Sequence, residues 1–155
     1  MKFLGSALIG FVLLLATGAC LTQRSAVAAD DARQLVKLPS MMQEHMLANM
    51  RDHLFALDEM LKALAEDNID EAAKIAEARL GMSSLSLHGA DHMATFMPEG
   101  MRAIGTQMHR AASRFTIIAG DAEFESQKDA QRKLYGALQA ITANCNACHQ
   151  SYRIR

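Results

Sequence analysis

Three stretches of this chain repeat core-type residues at alternating intervals of four and three, a spacing that admits little besides amphipathic helix. Met46, Met50, His53, Leu57, Met60 and Leu64 make one such stripe. Met101, Ile104, Met108, Ala111, Phe115 and Ile118 make a second, and Leu134, Leu138, Ile141, Cys145, Cys148 and Tyr152 a third. On a helix each set falls on one face. Leu85, His88, His92 and Met93 suggest a further helix, less cleanly, because Gly81, Gly89 and Pro98 punctuate that region.

Local signals set the expected boundaries. Ser40, after Pro39, can cap a first helix over about 40–66, with Gln43 completing a capping box. Asp67 to Asp70 reads as a turn, with Asp70 capping a second helix that starts at Glu71 and runs to about residue 94, kinked at Gly81. Pro98 suits the first turn of a third helix that Gly120 stops, and the fourth starts near Glu123. Aromatics are only 5% and Trp is absent, which speaks against a β-sandwich. The expected fold is all-α, an antiparallel up-down-up-down four-helix bundle.

Lys2 followed by an apolar run from Phe3 to Leu21, and then Ala26-Val27-Ala28-Ala29, reads as a secretory signal peptide over 1–29 cleaved near Ala28 or Ala29. The alternative cut lies before Cys20, in Thr17-Gly18-Ala19-Cys20, and would leave a lipidated cysteine. Membrane anchoring follows only from that lipid or from a retained leader. Residues 30–155 are then one exported, periplasmic domain. Without the leader, 14 basic and 17 acidic residues give a net charge of −3, which does not suggest nucleic-acid binding.

Cys145-Asn146-Ala147-Cys148-His149 is a C-x-x-C-H motif. Two thiols three residues apart can each add to a haem vinyl group, and the adjacent imidazole is then held under the iron. The rivals are a redox dithiol and half of a zinc site. No second C-x-x-C accompanies this one, Cys20 lies in the leader, and zinc would need distant histidines. The expected cofactor is one covalent haem c, bound by Cys145 and Cys148 with His149 as proximal iron ligand.

The ending C-x-x-C-H-x-x-Y-R, from Cys145 through Tyr152 to Arg153, together with four helical segments, resembles the class II c-type cytochromes, the cytochrome c-prime family. The resemblance implies a haem near one end of the bundle, attached to the fourth helix, with Arg153 near its edge. The rival reading of Arg153 is a solvated charge favoured by the helix dipole. In that family electron-carrying members place a Met on the far side of the iron, whereas gas-binding members place an apolar or aromatic residue there. The chain lacks the family's usual upstream Arg, so the alignment can slide by one turn. Met50 is the expected distal ligand and Met46 its alternative. The resemblance also implies a homodimer.

These features predict a mono-haem electron carrier, its redox partners unidentified. An open iron site binding nitric oxide or carbon monoxide is the alternative, with Leu47, Ala48 and Leu54 near the distal face. A third reading is a copper-handling Met/His bundle using His88 and His92, four residues apart, with Met93, Met97, Met101, Met108 and His109 following. Against it, these methionines sit where a core needs them, and ordinary packing is the simpler account. His53 is likewise expected to be a satisfied core histidine. No nucleophile–base set, phosphate loop or carboxylate pair emerges, so enzymatic turnover is not expected.

Overall fold

The computed structural model describes residues 31–155, so the leader and Cys20 lie outside the described residues. Helix α1 spans Ser40–Ala65, as the stripe predicts. Its start differs in detail: no side chain caps it, and the Gln43 side chain donates instead to the Ile154 carbonyl. The predicted capping box is therefore replaced by a tie to the far end of the chain.

Asp67, in the left-handed region at φ 55°, turns the chain out of α1. Asn68, rather than Asp70, then caps α2 (Ile69–Ile75), its side-chain oxygen accepting from Glu71 N at 3.2 Å. The expected single helix to residue 94 does not form. A wider π turn over Ala76–Leu80 ends at Gly81, whose ψ of 178° is extended, and a 3-10 turn follows over Met82–Ser84. Gly89 takes a left-handed conformation at φ 61°, open to glycine at little cost, and the short α3 (Ala90–Ala94) follows.

Pro98 precedes α4, Glu99–Asp121, which runs through Gly120 instead of stopping there. A 3-10 turn at Ala122–Phe124 leads to α5, Gln127–Ser151. Its start is later than expected because Ser126 is the cap, its oxygen accepting from Asp129 N at 3.2 Å.

The described residues are all-α apart from one feature with no sequence periodicity to announce it. Gln34–Leu35 (β1) pairs in parallel with Tyr152–Arg153 (β2), and Val36 N donates to Arg153 O at 2.8 Å. Ala32–Arg155 forms one compact unit. Helices α4 and α5 make its most extensive helix pairing, while α1 packs chiefly on α2 and the π turn. Arg79 of that turn bridges to Asp52 and Glu59 on α1 and lies 5.1 Å over the Phe55 ring. No helix among the described residues is long and apolar enough to cross a membrane.

Two apolar clusters result among the described residues. The larger gathers Phe115, Met60, Leu80 and Ile141 among alanines that include Ala56, Ala72, Ala112 and Ala137. The smaller holds Val36, Met46, Met93 and Met101, with Met50, Met97, Cys148, Tyr152 and Ile154 packed against it.

Candidate functional site

Between α1 on one side and α4 and α5 on the other lies a cavity of about 620 Å³, within the size range of small-molecule and cofactor sites, about 300–1,000 Å³. The last turns of α5 deliver Cys145, Cys148 and His149 to it, and the first half of α1 delivers Met46 and Met50. The i, i+3 spacing puts both thiols on one side of α5, partly buried and not joined in a disulfide. Burial pushes both thiol pKa values up, with Cys145 adding to the effect on Cys148. A reactive redox dithiol requires the opposite shift, so these are poor thiolates.

His149 is exposed at the cavity rim, and its carbonyl accepts from Arg33 Nη1 at 3.3 Å. Met46 is buried and Met50 half-buried. Of the residues offered for a distal pocket, Leu54 lines the cavity, whereas Leu47 and Ala48 do not. Arg153 is not part of the wall either; it is half-buried in β2, paired with Leu35.

A second group in the same wall was not legible as a group. His53 from α1, His88 from the loop ahead of α3 and His109 from α4 each present a ring nitrogen, and these three atoms lie within 4.8 Å of one another. His53 Nε2 is 3.3 Å from His88 Nε2. Ring centroids are 4.6 Å apart for His53 and His88, 5.3 Å for His88 and His109, and 5.7 Å for His53 and His109. His92, proposed to pair with His88, is exposed and outside the trio: the left-handed turn at Gly89 separates the two histidines, so the i, i+4 helical geometry does not exist.

Burial, then the neighbouring His88 and His109, lowers the His53 pKa to about 4. Burial also lowers His88, with His109 contributing, and His109, against the opposing hydrogen bond to the Leu80 carbonyl. All three rings are therefore neutral at neutral pH and carry a lone pair. One signal foreshadowed the site: His45, Asn49 and His53 recur every four residues, a polar ridge beside the apolar stripe of α1. His45 Nε2 and Asn49 Nδ2 both donate to the His88 carbonyl, at 2.9 and 3.0 Å. Comparison with family models, with curated proteins and with solved structures gives no match.

Proposed function

We propose that this chain is a periplasmic mono-haem c-type cytochrome that carries single electrons, built as an antiparallel four-helix bundle with the haem near one end, as in the cytochrome c-prime family it resembles. The observation that carries this reading is that all three reactive residues of C-x-x-C-H line the same cavity as Met46 and Met50. The residues fit the group: the thiols are free and the neighbouring wall is rich in methionine. Cys145 and Cys148 would hold the porphyrin covalently, His149 would ligate the iron, and Met50, or Met46 one turn earlier, would supply the sixth ligand.

Iron ligated by His149 and a methionine thioether would supply low-spin one-electron chemistry at a raised potential. The methionines of the smaller cluster exclude water from that side and adapt their shape to a flat ligand. Export rests on the leader over 1–29 and electron transfer to a partner on the exposed rim near His149. The resemblance extends to a homodimer, and Leu54 and Leu61, exposed on α1, are apolar surface available to it.

The test is to export the full chain from a host with working cytochrome maturation and measure its mass and spectra. The expected result is one covalently attached haem and a low-spin oxidised spectrum with a sulfur-to-iron charge-transfer band. The bare polypeptide mass overturns the reading. A high-spin spectrum with prompt carbon monoxide binding replaces electron transfer by gas binding. Met50→Ala should abolish the charge-transfer band; an unchanged spectrum assigns the ligand to Met46.

A further inference from the structure

We infer that His53, His88 and His109 form a second metal centre, a tris-imidazole site for a divalent ion of the zinc and copper class, whose remaining coordination position faces the cavity. Its ligands are distinct from the haem-attachment residues, although both sets line one cavity. Three observations carry it: the ligand spacing, the hydrogen bonds that orient the rings, and the hydrogen bonds that anchor the loop bearing His88.

Zinc–nitrogen bonds of 2.0–2.1 Å at tetrahedral angles require nitrogen–nitrogen separations of about 3.3–3.4 Å. His53 Nε2 and His88 Nε2 already stand 3.3 Å apart. The widest separation in the trio is within 4.8 Å, so closure onto an ion takes at most about 1.4 Å of side-chain adjustment.

The ring protons are directed away from the centre in two of the three histidines. His109 Nδ1–H donates to the Leu80 carbonyl at 2.8 Å, which leaves the Nε2 lone pair available. The buried Ser84 hydroxyl gives its proton to the Gly81 carbonyl at 2.7 Å, so its oxygen can accept from His88 Nδ1–H, 3.5 Å away. His88 Nε2 is then free as well. A carbonyl or hydroxyl acceptor on the outer nitrogen is the arrangement that fixes tautomer and ring plane in metal-binding histidines.

The His88 loop is held by its carbonyl, which accepts from both His45 and Asn49 on α1. The three ligands thus come from three separate elements whose positions are set without an ion. Among carboxylates, the nearby Asp52 is engaged by Arg79. An all-imidazole donor set suits zinc, copper or nickel rather than calcium or magnesium.

The experiment uses the full exported chain, stripped with chelator, dialysed and titrated separately with Zn²⁺ and with Cu²⁺. The expected result is one equivalent bound per chain. X-ray absorption at the zinc edge should give nitrogen scatterers at about 2.0–2.1 Å with imidazole features and no sulfur at about 2.3 Å. His53→Gln and His109→Gln should each weaken binding by about 100-fold or more, and His92→Gln should leave it unchanged. The inference is overturned by failure of the wild type to bind either ion stoichiometrically, by sulfur in the coordination shell, or by undiminished binding in both variants. The wild-type absorption spectrum keeps the test decisive even where a variant folds poorly. Haem content is measured in the same samples, so loss of the cytochrome reading leaves this outcome separately readable. If His53→Gln alters the iron spectrum while wild-type protein takes up no zinc, the histidines belong to the haem instead.

Discussion

The two apolar clusters show what different side chains do with one helical scaffold. Around Phe115 the helices meet through alanine, and Ala56, Ala72, Ala76 and Ala112 are fully buried. Small side chains let backbones approach closely, and a few large ones fill the remaining space. Around Met46, Met93 and Met101 the contacts are long, flexible thioethers, and the cavity opens beside them. One cluster fixes the helices; the other leaves room between them. Phe115 and its alanines stand away from the cavity, while Leu80, Met108 and Ile141 of the same cluster share the cavity wall with the methionines of the other.

The largest effect that would test this division comes from Phe115→Ala. Phe115 is fully buried, and its truncation should cost about 3–5 kcal/mol in chemical denaturation while leaving the set of cavity-lining residues intact in any folded fraction. A loss below about 1 kcal/mol would mean that the alanine-rich cluster is not the stabilising one.

Acid comes next, because the histidine trio lies where the two regions meet. His53 has its folded pKa lowered from 6.5 to about 4, so between these values the unfolded chain binds more protons than the folded one. Stability is fully present above about 6.5 and falls as pH drops toward 4, by at most about 3 kcal/mol from this group. His88 and His109, also lowered, act in the same direction; Asp52 opposes the shift and Arg79 adds to it. Denaturation of chelated protein at neutral pH and near pH 5 measures it, and equal midpoints would count against the burial of the trio.

Met46→Ala should cost less, about 2 kcal/mol, since the side chain already borders open space and its loss enlarges a cavity instead of creating one. A cost matching that of Phe115→Ala would erase the contrast between the clusters. Gly89→Ala should have the smallest effect, about 1–2 kcal/mol, from the left-handed backbone and from a Cβ that would stand 3.1 Å from His45 Nε2. Its sharper consequence is local: zinc affinity should fall more than global stability does, and a preserved affinity would show that the His88 loop tolerates the shift.

Long periodic stretches made much of the fold legible. The α1 stripe and the flanking Pro39-Ser40 and Asp67 signals placed that helix to within a residue, and Pro98 marked the start of α4, because a missing N–H is tolerated there. Capping was read less well. Ser40 and Asp70 look suitable as caps, and Glu123 as a helix start, but the tie from Gln43 to Ile154, the left-handed Asp67 ahead of Asn68, and Ser126 decide the ends in the structure. The second helix failed because a Gly-punctuated apolar pattern fits a chain of turns as well as it fits a helix. For the site, Cys145, Cys148, His149, Met46 and Met50 could be nominated because each sits in a motif or on a stripe. His53, His88 and His109 could not be grouped, since their proximity depends on where Gly81 and Gly89 redirect the chain.

The parallel clasp between Gln34–Leu35 and Tyr152–Arg153 orders events during biogenesis. Its first strand is made before α1 and its second only after α5, so the clasp cannot close until nearly all the helical framework has been delivered. While it stays open, the end of α5 carrying Cys145, Cys148 and His149 lacks its main-chain tie to the segment ahead of α1. Closing it brings that end against the entrance to α1, so the last strand made fastens the first.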